Sequence, residues 1–412
     1  MESTYKLNKR IAIIILFAVI ISRMAIYLSF YLGANTFPSY VKIPEYIKTG
    51  DNVQLQLPYE FSETRIPQFS DLNKFDARNY LHIAQHGYDK FSIYEKHSNA
   101  NWVFFPLFPM TVKIVQKLFS FLSFEEVGVI LSNVFLYLAL LLLYIFSRNK
   151  GLSENKSLLL ILLILIFPTS LFFSIAYTES LFLLLSSASL YFNSKKKYGL
   201  AIMMGSLSTI TRTVGFVNVV YTFILLLIDK KKDWKLKDVK WFIYGILSTF
   251  PLIGYFFYMK KLTGDFFAPL HEQSINWDRK TMVPFTNVSN YIKESYFISH
   301  SGWDNGFISF LMSTAVVLVF LIYIIVSRKK LIGNWHELAF FVYALLLTII
   351  PFSSGHHLTS ITRYLMVVIP FYFYLIEIAE KRREFLFLYV FLFGVLNIYY
   401  CFAFINDYFF VV

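Results

Sequence analysis

Between positions 75 and 88 the chain reads Phe-Asp-Ala-Arg-Asn-Tyr-Leu-His-Ile-Ala-Gln-His-Gly-Tyr, with an acid, an arginine and two histidines close together. A carboxylate in such a polar stretch can serve as a general base toward a hydroxyl. Asp76 is the candidate, with Arg78, Tyr80 and His82 beside it; the structural alternative is that Asp76 only favours the start of a helix through the macrodipole. A second acid, Glu179, falls in Tyr177-Thr178-Glu179-Ser180 between two apolar runs. A carboxylate there is costly unless paired or wet, and pairing with Arg212 is the structural account set against a catalytic one. Arg212 and Arg363 are suited to clamp an anionic phosphate, which arginine does bidentately, or else to form internal ion pairs. His356 and His357 could hydrogen-bond the same phosphate. Adjacent histidines rarely share one metal, and with Cys401 the only cysteine no metal site is expected. Trp303 and Asp304, in Trp303-Asp304-Asn305-Gly306, complete the candidate lining.

The elements that must position these residues are apolar helices. Hydrophobic residues make up 57% of the 412-residue chain, charged residues only 16%, and the mean hydropathy is +0.55. Soluble domains are less apolar and more highly charged. The reading is an all-α integral membrane protein, one polytopic domain over 1–412. About eleven spans are predicted, several of them short: 11–32, 127–147, 157–174, 179–193, 199–212, 214–228, 240–259, 305–327, 336–352, 361–380 and 384–406. The first is too long for a signal-peptide core and is read as retained.

The net charge of +12 is divided among short loops, which speaks against nucleic acid as a partner and for a topology signal. With the N-terminus in the cytosol, more than half of the 38 Lys and Arg fall in short inner segments such as Lys195-Lys196-Lys197, Arg328-Lys329-Lys330 and Lys381-Arg382-Arg383. The long segments 33–126 and 260–304 are then extracytosolic, and Asp76, Glu179, Arg212, Arg363, both histidines and Trp303-Asp304 share one face. Polar and ionisable groups gathered beside the membrane mark function.

Within the first outer segment, Ala77, Tyr80, Leu81 and Ala84 form one helical stripe. Asp71 or Asn73 is placed to cap this helix and Gly87 to end it. After the Phe105-Pro106-Leu107-Phe108-Pro109 corner, a second helix carries Thr111, Ile114, Val115, Leu118, Phe119 and Leu122 on one face. It is read as lying in the membrane surface. The stretch 199–229 is read as two short helices meeting near Arg212 and Gly215. Asn287-Val288-Ser289 is a sequon of a kind that arises often by chance.

The Asp76 stretch with its Phe105–Pro109 corner, the Tyr177–Phe182 block and Arg212-Thr213 with Gly215 resemble, in order, blocks of the PIG-V-like mannosyltransferases. So do Gly264-Asp265-Phe266 with Gln273 and Trp277, Trp303–Phe307, and the segment around Arg363. The resemblance implies a GT-C-type bundle with a large catalytic first loop. It implies inverting transfer of a hexose, most plainly mannose, from a polyprenyl (dolichyl) phosphate carrier to a glycan or glycolipid on the extracytosolic face, with Asp76 as base and no cofactor. Phe75 stands where the family usually has Trp, and Asp304-Asn305 differs from the usual Asn-Val. A transporter or flippase of a lipid-linked saccharide is the competing reading, and inverted repeats would favour it. A composition rich in Lys, Ile, Phe and Asn points to a prokaryotic cytoplasmic membrane, the alternative being the endoplasmic reticulum.

Overall fold

The computed structural model describes residues 7–37, 64–95, 99–230, 233, 235–277, 279–297 and 305–408. Among these it is helical, with one isolated antiparallel bridge between Thr281 and Ser354. The helices are α1 (Lys9–Thr36), α2 (Asp76–His86), α3 (Leu107–Leu118), α4 (Phe124–Asn149), α5 (Glu154–Leu165), α6 (Glu179–Ser194), α7 (Tyr198–Thr209), α8 (Phe216–Lys230) and α9 (Val239–Ser248). There follow α10 (Phe250–Thr263), α11 (Ala268–Ile275), α12 (Thr286–Lys293), α13 (Gly306–Val326), α14 (Arg328–Gly333), α15 (Trp335–Phe352), α16 (Ile361–Leu365), α17 (Ile369–Ala379) and α18 (Arg383–Ile405).

Seven stretches among the described residues are long and apolar enough to cross a bilayer: α1, α4, Thr213–Lys230, Val239–Thr263, α13, α15 and α18. The chain is an integral membrane protein. At four other expected spans the helices are shorter. The 157–174 run stops as helix at Leu165 and continues as a turn and a 3-10 segment, Ser170–Phe173. The 361–380 run is likewise two helices, broken where Val368 leaves helical geometry as the N-cap of the second, which carries Pro370 in its first turn, a position proline favours. α6 is packed most extensively against α4 and α7, and α7 against α8, while α1 lies along α18. α6 is buried nearly throughout, so it forms the axis around which the other spans gather.

The two surface helices of the first long segment differ in how well they follow their patterns. In α2 the stripe Ala77, Tyr80, Leu81 and Ala84 is buried, joined by Ile83. Gly87 ends it at φ +88°, a left-handed value that glycine adopts without penalty. The cap is a correction: Asp71 closes a 3-10 turn at Phe69–Leu72 by accepting from the Gln68 N–H (2.8 Å) and pairs with Arg65 (2.7 Å). Asn73 instead reaches Glu125 (3.3 Å). In α3 the face packed on the protein is Phe108, Pro109 and Val112, whereas Ile114 and Leu118 of the expected stripe are 57% and 74% exposed. The helix thus has two apolar sides, and the sequence pattern picks out the outward one.

Candidate active site

Asp76 is the first residue of α2, and the backbone before it is forced. Phe75 has φ +53° and ψ −127°, a region that a bulky side chain enters only when its surroundings over-determine it. Two tethers do so. The Lys74 ammonium donates to the Ile405 carbonyl (2.8 Å) and pairs with Asp407 (2.9 Å), and the Phe75 ring meets Phe404 edge-on at 5.6 Å. Burial pushes the Lys74 pKa down, against the opposing pull of Asp407.

No side chain of the preceding loop caps α2. The Asp76 N–H donates to the Tyr177 hydroxyl (3.1 Å), which itself donates to the Lys74 carbonyl (3.4 Å). Tyr177 therefore satisfies a helix-start donor that would otherwise be orphaned and fixes the direction in which the carboxylate leaves the helix. Replacing Tyr177 by Phe is expected to cost about 1 kcal/mol of stability and to lower kcat several-fold with little change in KM. Steady-state kinetics and thermal unfolding check this; an unchanged kcat would mean the hydroxyl does not position Asp76.

The Asp76 carboxylate enters an alternating chain of charges. Arg363 Nη1 donates to Asp76 Oδ2 (2.7 Å), and Arg363 Nε lies 3.3 Å from Glu179 Oε1. The same Glu179 oxygen accepts from Arg212 Nη1. The Arg363 guanidinium lies among the Phe172, Tyr177 and Tyr364 rings at 5.4, 5.3 and 5.5 Å. Side-chain exposure separates the two acids: Glu179 is 1% exposed and Asp76 14%. Glu179 Oε1 is shared by two guanidiniums and its Oε2 is buried with no hydrogen-bond partner. Asp76 Oδ1 accepts no hydrogen bond from the described residues, so Asp76 is the acid with a reachable oxygen in reserve.

Arg212 is carried by the expected break: α7 ends at Thr209, a 3-10 turn covers Thr213–Gly215, and α8 begins at Phe216. Gly215 sits so close to the end of α7 that an added Cβ would meet the Ser208 carbonyl carbon and oxygen at 2.3 Å. That contact is with backbone, so the turn itself must move. Gly215→Ala is expected to cost about 1–3 kcal/mol and, by displacing Arg212, to weaken its hold on Glu179. A lowered unfolding midpoint together with lost activity is the expected result, and a fully active, equally stable variant would contradict it.

The remaining sequence candidates are placed as follows. Tyr80 is buried, its hydroxyl 3.5 Å from Thr178 Oγ1, and Tyr177 is 1% exposed; both support the site from within rather than line it. Arg78 is exposed and donates to the Asn73 carbonyl (3.1 Å). His82 is exposed beside Asn101 (3.4 Å). His356 and His357 are exposed in the loop after α15. The His356 carbonyl accepts from Asn290, and the His357 ring lies near Tyr296; neither side chain joins the charge chain. Trp303 and Asp304 lie outside the described residues. Asn287 of the sequon is 1% exposed, which leaves its side chain out of reach of a glycosylating enzyme.

Arg279, which the sequence places with the outer-face polar residues but without a role, takes part in the centre, as do two residues that the sequence did not single out, Tyr364 and Arg23. Arg279 and Tyr364 join the centre, Arg279 donating to Ser360 Oγ (3.2 Å) and stacking 5.3 Å from the Tyr364 ring. Arg23, midway along α1, donates to the Ser170 carbonyl (3.0 Å) and Ser174 Oγ (2.6 Å). It thereby holds the segment that leads into Tyr177 and Glu179. An arginine inside an apolar span is itself a signal; Arg279 was signalled by its place among the outer-face polar residues, and Tyr364 only by its neighbour Arg363.

A helical membrane protein with carboxylates and guanidiniums concentrated where short and broken helices meet has the makings of a membrane-embedded enzyme. A family model described as Mannosyltransferase (PIG-V) matches residues 11–310, and the chain belongs to that family. It is thus a glycosyltransferase. No curated protein matches it.

Proposed function

We propose that the protein is an inverting GT-C-type transferase that moves a hexose, specifically mannose, from a polyprenyl phosphate carrier to a glycan or glycolipid acceptor. In this reading the bundle has eleven spans including the short helices, the N-terminus is cytosolic, and the site opens on the extracytosolic face of a prokaryotic cytoplasmic membrane. The excess of Lys and Arg in short loops on the other side supports that orientation. Residues 33–126 supply the catalytic loop, and no cofactor or metal is assigned.

The observation that carries the reading is Asp76, the more exposed of the two described carboxylates in the charge chain, held by a guanidinium and a tyrosine at a helix start. One base is what this reaction needs. Asp76 takes the proton of the acceptor hydroxyl, and the acceptor oxygen bonds to the anomeric carbon. The bond from that carbon to the phosphate oxygen breaks, and its electron pair goes to the phosphate. A phosphate leaves without a general acid, unlike the alkoxide of glycoside hydrolysis, which calls for a second carboxyl. Glu179, buried between Arg212 and Arg363, holds the cations rather than exchanging protons.

The test is purified protein with polyprenyl-phosphate mannose and a panel of acceptors, the anomeric configuration of the product being read by NMR. Transfer with inversion supports the proposal. Transfer from a nucleotide sugar alone, or retention of configuration, overturns it.

A further inference from the structure

The charge chain does not balance. Around the Tyr364 ring stand three guanidiniums, with Cζ atoms at 4.9 Å (Arg212), 5.3 Å (Arg279) and 5.5 Å (Arg363). Among the described residues two carboxylates, Asp76 and Glu179, face them, and these engage Arg363 and Arg212. Arg279 pairs with no carboxylate among the described residues; its one side-chain hydrogen bond goes to a neutral hydroxyl, Ser360 Oγ. A part-buried cation without a counter-charge is costly unless something anionic visits it.

Arg279 is also held firmly. Its N–H donates to the Gln273 carbonyl (2.9 Å), and the following residues pair with the loop after α15. Met282 N–H donates to the Ser353 carbonyl (2.8 Å) and Gly355 N–H to the Lys280 carbonyl (2.9 Å). Ser360, which positions the guanidinium, lies at φ +62° immediately before the helix that carries Arg363 and Tyr364. Two distant segments are thus fastened together at the point where the surplus charge sits.

We propose that Arg279, stacked on Tyr364 beside Arg212, is the seat of the lipid donor's phosphate. This rests on the transfer reaction proposed above. A sugar phosphodiester carries one negative charge, matching the one surplus positive charge. When the anomeric bond breaks, the departing polyprenyl phosphate becomes a monoester with a second negative charge, and Arg212 on the same ring is placed to meet it. Arg363, committed to both acids, orients Asp76 instead of binding phosphate.

The experiment uses the full-length protein in lipid nanodiscs, as wild type, Arg279→Gln and Arg279→Lys. Donor KM with polyprenyl-phosphate mannose, acceptor KM, and the Kd for polyprenyl monophosphate are measured, together with unfolding midpoints. Arg279→Gln is expected to raise donor KM and product Kd by about tenfold or more, with acceptor KM unchanged and Arg279→Lys in between. An unchanged donor KM in Arg279→Gln overturns the seat, as does a rise confined to acceptor KM. Equal loss in both variants with a fallen midpoint means a structural role and overturns it too. If wild type neither binds nor uses the lipid donor, the transfer reaction itself has failed, an outcome distinct from a silent Arg279→Gln.

Discussion

Asp76→Asn is expected to lower kcat by about a hundred- to ten-thousand-fold, the usual worth of a positioned general base, while the protein stays folded. Asn keeps the shape and can still accept from Arg363 through its amide oxygen, so the 2.7 Å contact is weakened rather than vacated. Arg363 also retains Glu179 at 3.3 Å. What is lost is the ability to take a proton. Donor KM should therefore stay within a few-fold of wild type, because the proposed phosphate seat is Arg279. The measurement is initial rate at saturating donor and acceptor, alongside size-exclusion and unfolding profiles. Wild-type turnover in the Asn variant would remove Asp76 as the base.

The second large effect is on stability. Removing the Glu179 side chain leaves Arg212 without its carboxylate and Arg363 with only one. Breaking a buried pair by deleting one partner costs about 3–5 kcal/mol, since the remaining charge stays desolvated. Glu179→Ala should accordingly lower the thermal unfolding midpoint sharply. Adding Arg212→Ala should restore part of the loss, because the double variant no longer buries that unpaired cation. Additive loss in the double variant would show that the two side chains are not coupled and that Glu179 contributes in another way. Activity is expected to fail in Glu179→Ala for the same reason: Arg363 would lose one of the two carboxylates that fix its direction toward Asp76.

These expectations draw on contacts of very different legibility. Local periodicity was readable: the α2 stripe, its glycine end and the break at Arg212–Gly215 are decided by residues within a few positions of one another. Pairing of Glu179 with Arg212 was also anticipated, because a carboxylate at the mouth of an apolar hairpin needs a cation and few are near. The Asp76–Arg363 contact was not, since 287 positions separate the two and no local pattern ties them. Arg212 and Arg363 looked alike as phosphate ligands. Only the folded arrangement shows Arg363 held by both acids and leaves Arg279 as the cation without one. The outward stripe of α3, with Ile114 and Leu118 exposed, was readable as a surface face, but its second apolar side, Phe108, Pro109 and Val112, was not, because an apolar face toward lipid and one toward protein read alike in a sequence.

The tethers beside Asp76 bear on when the protein becomes competent. Lys74 and Phe75 are held by Phe404, Ile405 and Asp407, and Arg363 arrives only with the helices shortly before them. The segment that carries Asp76 leaves the ribosome early, yet its acid acquires a defined direction only after the last described helix has been inserted. Partly synthesised chains would carry Asp76 without its partners. Assembly of the charge chain is thereby deferred until α18 is in place, and a shorter chain holds Asp76 without its organised setting.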